Sequence, residues 1–368
     1  MALFKKSANS YKAVSLSALT WARFKRESQG MISLFFILAV SIIALLGYLI
    51  TPDSSPDCNR QQLEISLQKP GFSVQMLQLK PSWKAQKVSW WRKMLFGQPD
   101  LYRYVPVASF WQQGDTLCVV PFGQSEAQGE RYALSELCSE QPVVGRTFWL
   151  GTDRYGRDVL SQLLMGSRVS LAVGLISVFI ALLIGIFIGS VAGFYRGRID
   201  DVLMWLVNVV WSIPTLLLVI AISFALGRGF WQIFIAIGLT TWVDVARIVR
   251  GQVISLRETE FVEAGRVLGY SNFHIIFRHI IPNVLGTVSV VAASNFSSAI
   301  LMEAGLSFLG IGVQPPTPSW GTMIKENYST IVLDNAYLAI TPGIAIMLLV
   351  LSFMLISSAL RNAMDVRG

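Results

Sequence analysis

Long apolar runs broken by short polar segments dominate the pattern of this chain. Six runs are long enough to cross a hydrocarbon core, which takes about 20 residues: 31–50, 169–194, 202–226, 230–249, 284–310 and 336–360. Two polar stretches stand out between them, residues 51–168 and 250–283. In the first, the alternating runs "LEISLQ" (63–68) and "TLCVVPF" (116–122) predict short strands. "KAQKVSWWRKMLF" (84–96) reads as an amphipathic piece, whose Trp90 and Trp91 suit either the core of a small domain or the headgroup level of a membrane. The pattern predicts an all-α polytopic membrane protein with six transmembrane helices and a folded insertion of mixed or β structure.

Composition agrees, with 53% hydrophobic and 14% charged residues and a mean hydropathy of +0.53. The net charge of +8 is not spread evenly. Lys5, Lys6, Lys12, Arg23, Lys25 and Arg26 precede the first run, and Arg247, Arg250, Arg257, Arg266 and Arg278 cluster around 250–283. Cytoplasmic loops of membrane proteins concentrate Lys and Arg. That rule places both termini, with Arg361 and Arg367 in the tail, and the 250–283 loop in the cytoplasm, and residues 51–168 outside. It also removes the reason to read the charge as a nucleic-acid surface. The first run is expected to stay as an anchor, because Tyr48–Pro52 is a poor cleavage site.

Catalytic chemistry is scarce. Only two histidines occur, both in the 250–283 loop, and the cysteines Cys58, Cys118 and Cys138 all lie in the outer segment, so they share no metal site. No phosphate-cradling G-x-x-x-x-G-K-[ST], H-E-x-x-H or G-x-S-x-G is present. No catalytic residue, metal or cofactor is therefore assigned to the chain. An oxidising exterior favours one disulfide, with Cys118 to Cys138 the expected pair and Cys58 free.

Several polar or special residues lie inside the runs. Gly185, Gly189 and Gly193 give one helix face a small surface, for packing within the subunit or between subunits. Pro214 is expected to bend its helix. Ser294, Asn295, Ser297, Ser298 and Glu303 are costly against lipid. They either line a passage, where Ser294, Asn295, Ser298 and Glu303 are the candidates, or bond between helices, and Glu303 lies near an outer end where it can reach water. Asp244 and Arg247 read as a paired charge.

The loop itself predicts helix, glycine turn, helix. Phe261, Ala264, Gly265 and Leu268 form one stripe, with Glu263 and Arg266 beside it. Gly269 ends that helix, Ser271 or Asn272 caps the next, and Phe273, Ile276, Phe277, Ile280 and Ile281 share a face before Pro282 stops it. Small residues such as Ala264 and Gly265 offer little to lipid but allow a protein surface to approach closely, so docking onto another protein is the favoured reading.

At these residues the sequence resembles the membrane subunits of ATP-binding-cassette (ABC) importers, whose loop carries E-A-A-x-x-x-G followed by a hydrophobic residue and Pro. Glu263, Ala264, Gly269 and Pro282 match, and Gly265 stands in place of the second Ala. "GTDRYGRDVLSQLLMGSRVSL" (151–171), "EAGLSFLGIGVQPPTPSWGTMI" (303–324), "WARFKRESQGMISL" (21–34) and "RIDDVLMWLVNVVWSIPTLLL" (198–218) resemble the C-type permease of the dipeptide and oligopeptide branch. The resemblance implies the type I importer permease fold. It divides the chain into a basic segment (1–30), a first span (31–50), an extracytoplasmic insertion (51–148) longer than the family's usual connector, and a permease core (149–368) of five spans with its loop at 250–283.

The same resemblance implies a subunit of the cytoplasmic (inner) membrane that works with a second, B-type permease, two ATPase subunits and an extracytoplasmic solute-binding protein. ATP and Mg²⁺ would be used by the ATPase partners, and Glu263, Ala264, Gly265, Arg266 and Gly269 would form the coupling helix and turn. Peptide is the implied cargo. Nickel or another small solute carried by a related permease, a self-contained secondary transporter, and an anchored assembly protein are the other readings the residues leave open.

Overall fold

Residues 16–83, 86–124, 129–138, 142–227 and 229–364 are described by the computed structural model. The basic residues Lys5, Lys6, Lys12 and Arg367, and Lys84 of the amphipathic piece, lie outside that set. The described residues open with α1 (Leu16–Phe24) and α2 (Ser28–Leu46), the latter extended by a tight turn at Gly47–Leu49. Then follow β1 (Phe72–Leu79), α3 (Trp90–Phe96), β2 (Arg103–Gln113), β3 (Thr116–Pro121), β4 (Glu130–Ala133) and β5 (Val143–Phe148). The remainder is helical: α4 (Val159–Tyr195), α5 (Gly197–Trp211), α6 (Thr215–Leu226), α7 (Phe230–Arg257), α8 (Glu260–Val267), α9 (Asn272–His274), α10 (Ile281–Phe308), α11 (Trp320–Asn327) and α12 (Tyr337–Met364).

Among the described residues, five helical segments are long and apolar enough to cross a membrane: 28–49, 159–195, 230–257, 272–308 and 337–364. The third expected span is broken. α5 and α6 meet at 91° across the "SIP" segment ending at Pro214, so the sixth crossing exists only as a bent pair. Proline lacks the N–H a helix needs, and the residue before it avoids helical angles, which ends α5 there.

α4 and α7 form the scaffold. A Cβ added at Gly185, Gly189 or Gly193 would lie 2.5, 2.5 and 2.8 Å from Val245, the Ala246 carbonyl and the Arg250 carbonyl. The glycine face therefore packs within this subunit, and Ser177 Oγ strengthens the pair by donating to the Phe234 carbonyl at 2.9 Å. α10 joins α12 partly through Ser297 Oγ, which donates to the Val350 carbonyl at 3.1 Å.

The polar insertion folds as a five-stranded antiparallel sheet in the order β4-β3-β2-β1-β5. Alternation along β1 sends Leu77 and Leu79 to one small core, with Val107 and Val119, and Val74 and Met76 to another, with Ile65 and Phe148. "TLCVVP" forms β3, as its alternation implies. "LEISLQ" does not form a strand: Leu63–Ile65 is a single tight turn. Its backbone groups bond instead to the segment before α4, where Thr152 Oγ1 donates to Ile65 and accepts from Gln68 N, and Leu67 N donates to Asp153. A tertiary partner thus takes the hydrogen bonds that a neighbouring strand would have supplied.

That segment is a polar hinge between sheet and helices. Asp153 accepts from the backbone of Tyr155 and Arg157 and from Arg157 Nε at 2.7 Å. Arg157 reaches on to Glu326 of α11, and Asp158 caps α4 by accepting from Ser161 N. Burial pulls Arg157 toward its neutral form, but the Asp153 and Glu326 carboxylates outweigh it and hold the guanidinium charged.

All three cysteines are free thiols, which corrects the expected Cys118–Cys138 bridge. Cys118 on β3 faces Trp111 of β2, whereas Cys138 N bonds to Gln78 of β1, which faces Tyr104. Tyr104 and Trp111 are seven residues apart on one strand, roughly 20 Å at strand rise, far beyond the ~7 Å limit for a disulfide. Cys58 is buried, and its thiol is pushed up first by that burial and then by Asp53 and Asp158.

α3 buries none of its residues, and Trp90 and Trp91 stack on each other while staying exposed. They are therefore not core residues of the sheet. Arg168 of α4 holds the helix through its last carbonyls, donating to Met94 and Leu95 at 2.9 Å and also to Ala44 and Leu45 of α2. This pins α3 beside the carboxyl-terminal end of α2.

Candidate functional site

At the opposite end from the sheet, α8 begins at Thr259 after α7 and folds back beneath it. The expected stripe is split. Val262 and Gly265 are the buried pair, with Val262 in a cluster with Phe194, Val249, Val253 and Ile275. Phe261, Ala264 and Leu268 point outward. Gly265 therefore belongs to the internal face: an added Cβ would meet Tyr270 at 3.4 Å and Ile275 at 3.8 Å, ordinary contact distances. Gly265→Ala is expected to leave the fold intact and to stabilise α8 by about 0.5–1 kcal/mol, the helix penalty of glycine. The thermal midpoint of the purified chain checks this.

Gly269 ends α8 at φ +79°, where its own N–H bonds to Arg266 and the next, from Tyr270, bonds back to Gly265. Ser271 then caps α9 by accepting from His274 N at 3.3 Å. Pro282 does not stop the second helix. The chain is one continuous helical span from Asn272 to Phe308, with a wide turn at 275–280 in which Ile281 N bonds to Ile276 five residues back. Such a turn relieves the crowding that proline imposes on the carbonyl four residues before it. The second apolar face also splits: Ile276 and Ile280 are buried, while Phe273 and Phe277 pack together outside with rings 4.3 Å apart.

The result is a hook with an apolar outer surface. Val267 is 84% and Leu268 70% exposed, and Phe261, Tyr270, Phe273 and Phe277 extend the patch. Glu263 and Arg266 rim it, without an ion-pair partner among the described residues, and Arg266 lies over the Phe194 ring at 5.6 Å. An apolar patch with a charged rim on a polar loop has the make-up of a contact surface for another protein or a membrane.

Apart from Ser297, which bonds to α12, the polar residues singled out in the fifth run separate into three groups. Asn295 and Ser298 line a pocket of about 100 Å³ with Thr240, Thr241 and Asp244 of α7, Met302 of α10, and the broken α5–α6 corner at Val210, Trp211 and Ile213. Ser294 faces outward elsewhere. Glu303 is 0% exposed and accepts from Ser307 Oγ at 2.7 Å, and that same Oγ accepts from Val313 N at 3.0 Å. It knots the turn after α10, neither joining Asn295 and Ser298 nor reaching water. Asp244 is not paired with Arg247, which donates to Asn208 at 2.8 Å and stacks on Trp211 at 4.0 Å. Arg250 makes the ion pair of this region, gripping Asp200 with two bonds of 2.6 Å. Thr240 and Asp244, four residues apart on one helix face, and the Pro214 break were the sequence signals that the pocket exists.

Five or six crossings around a tight α4–α7 pair, a hook at one end and a folded insertion at the other define a multi-pass membrane permease. The family described as "Binding-protein-dependent transport system inner membrane component" matches residues 182–367, and "N-terminal TM domain of oligopeptide transport permease C" matches residues 15–70. The chain belongs to the first of these families, and is an ABC importer permease that works with an ATPase and other components of such a system.

Similar proteins include the glutathione transport system permease protein GsiD of Pectobacterium atrosepticum, 39% identical over 59% of this chain and 72% of the relative. The oligopeptide transport system permease protein OppC of Bacillus subtilis is 36% identical over 64% and 76%. The dipeptide transport system permease protein DppC of the same organism is 38% identical over 59% and 68%. Among solved structures, the chain resembles one of inward-facing conformations of the MetNI methionine ABC transporter, with a TM-score of 0.47 and 18% identity over 55% of this chain and 97% of that one.

Proposed function

We propose that this chain is the C-type permease of a peptide importer, paired with a B-type permease, driven by two separate ATPase subunits that use ATP and Mg²⁺, and supplied by an extracytoplasmic solute-binding protein. The observation that carries the reading is the exposed apolar surface of the hook. Val267, Leu268, Phe261, Phe273 and Phe277 stand bare on a segment rooted in α7 and α10. A self-contained transporter has no use for such a surface. A docked ATPase covers it, and its closure on ATP then moves both helices.

Peptide cargo is supported by the relatives, which are named as permeases for oligopeptides, dipeptides or glutathione. The sides follow from the charges. Arg23, Lys25 and Arg26 flank Phe24, which packs on Ala359 and Ala363 at the end of α12. That end carries the hook and faces the cytoplasm by positive-inside logic, with both termini inside and the sheet outside. Asn295 and Ser298 sit on the passage, and Glu303 and Ser294 have structural or peripheral places. Reconstituting the chain with its partners in liposomes tests the reading. Peptide uptake should require ATP and the binding protein, and ATP-independent peptide uptake by this chain alone would overturn it.

A further inference from the structure

The pocket at the α5–α6 break contains two features that its own molecule does not explain. Asp244 lies in the hook-side half of the apolar run 230–249, exposed, with no ion-pair or hydrogen-bond partner among the described residues. A carboxylate at that depth is costly unless it faces water, a partner charge or a ligand. Its nearest cation in sequence, Arg247, is held one turn away by Asn208 and by the Trp211 ring. Across the pocket, Asn295 is only 9% exposed, yet its Nδ2 donates to nothing. A buried amide with an idle donor is costly unless some group completes it.

The remaining polar groups define the chemistry of that group. Thr240 Oγ1 and Thr241 Oγ1 spend their protons on the Ile237 carbonyl at 2.8 and 2.9 Å, and Ser298 Oγ turns toward the Ser294 carbonyl at 3.4 Å. Their lone pairs remain. The pocket thus presents one carboxylate and several hydroxyl acceptors, with the Asn295 amide, the Thr215 hydroxyl and the Trp211 indole N–H as donors beside them. A primary ammonium group suits the acceptors, since it carries three donors and a positive charge. A carbonyl a few ångströms from that ammonium suits Asn295 Nδ2. One end of a peptide carries both groups together, the free amino terminus followed by its first amide carbonyl. Trp211 and Met302 leave an apolar wall for the first side chain.

We infer that this pocket is a subsite within the helix bundle for the amino-terminal end of the transported peptide, with Asp244 holding the ammonium and Asn295 the first carbonyl. The inference rests on the peptide-importer reading and gives it a polarity: the cargo pauses with its amino terminus against α7. The about 100 Å³ now open holds an ammonium, an α-carbon and a carbonyl, and the rest of the peptide extends into the passage toward the second permease. Asp244 is then a cargo-binding residue, and the Arg247–Trp211 contact a positioning one that keeps the carboxylate from being neutralised within its own helix.

The test uses the complete transporter in lipid nanodiscs without the binding protein, which removes that protein's own preference. Affinity is measured for a dipeptide and for the same dipeptide acetylated on its amino terminus. The free form should bind about tenfold or more tightly to the parent complex. Asp244→Asn should shrink the ratio to below about threefold, Asp244→Glu should retain most of it, and Asn295→Ala should weaken both forms alike. Several results overturn the assignment: no binding of either form to the parent, equal binding of both, or a ratio that survives Asp244→Asn. An Asp244→Asn chain that no longer copurifies with its partners assigns the carboxylate to an inter-subunit ion pair instead, and overturns it too. ATP-dependent uptake by the parent, run in parallel, separates the two readings. Uptake with no amino-terminal preference sinks the subsite alone, and absence of peptide uptake sinks the peptide reading.

Discussion

Replacing Val267 and Leu268 together by aspartate is expected to strip the ATPase from the purified complex and to lower ATP-driven uptake by about a hundredfold or more. The chain itself should be unharmed, because both side chains are almost wholly exposed and contribute nothing to the internal cluster around Val262. Surface changes of this kind usually stay within about 0.5 kcal/mol of the parent stability. Docking is another matter. Each apolar side chain that a partner covers contributes about 1.5–3 kcal/mol. Each carboxylate put in its place must lose water without a partner, which costs at least about 2 kcal/mol more.

The double change therefore removes about 7 kcal/mol or more of association free energy, far beyond the 1.4 kcal/mol that separates tenfold steps in affinity. Glu263→Ala should do much less. Its carboxylate is a rim charge with no ion-pair partner among the described residues, so a loss of about 1 kcal/mol and a salt-sensitive association rate are expected. Copurification of the ATPase, uptake in proteoliposomes and the thermal midpoint of the permease check the three statements together. A double variant that keeps its ATPase and its uptake would show that force enters the permease elsewhere.

The hook was legible in the sequence because its determinants are local. Gly269 adopts the left-handed conformation a helix end requires, and Ser271 caps the next helix within four residues. What the sequence did not show is which side of each short helix faces its own molecule. Phe261, Ala264, Gly265 and Leu268 share a stripe by spacing, yet α8 is buried through Val262 and Gly265, because Phe194 and Ile275 reach it from that side. Proline was misread for a similar reason. Pro214 does break its helix, while Pro282 is absorbed by a widened turn, and nothing in the local residue types separates the two outcomes.

Long-range register was the least legible. The cysteine pairing depended on which strands stand beside which, and "LEISLQ" has a strand's alternation but gives its hydrogen bonds to Thr152 and Asp153. Among the buried polar residues, spacing identified Asn295 and Ser298 but could not exclude Glu303. Five residues beyond Ser298 on the same helix, it lies outside the pocket and in the knot with Ser307. Asp244 looked paired because a cation follows it by three residues, and only the positions of Asn208 and Trp211 on α5 show that the cation is already engaged.

Gly189→Val should be among the most damaging single changes in the chain. α4 and α7 approach so closely at this point that a Cβ would lie 2.5 Å from the Ala246 carbonyl, 2.8 Å from Val249 Cβ and 3.0 Å from the Arg250 amide. Two of those three atoms are backbone, which cannot rotate aside. The helices must separate instead, and separation propagates along the stripe, loosening Gly185 on Val245 and Gly193 on Val253 and stretching the Ser177 to Phe234 bond. Overpacking typically costs about 1–3 kcal/mol when side chains can adjust. With backbone on the far side and dispersion lost along the helix pair, about 4 kcal/mol or more is expected. Arg250 and Asp200 would part as α7 shifts, so the hook loses its fixed root as well. Gly251→Ala is the matched control. It sits on α7 with nothing within 4 Å of an added Cβ, so it should be neutral or stabilise its helix by about 0.5–1 kcal/mol. Thermal midpoints and the yield of monodisperse protein in mild detergent measure both. If Gly189→Val behaves like the control, the glycine face is not where α4 and α7 meet, and the scaffold that positions both the hook and the pocket must be built another way.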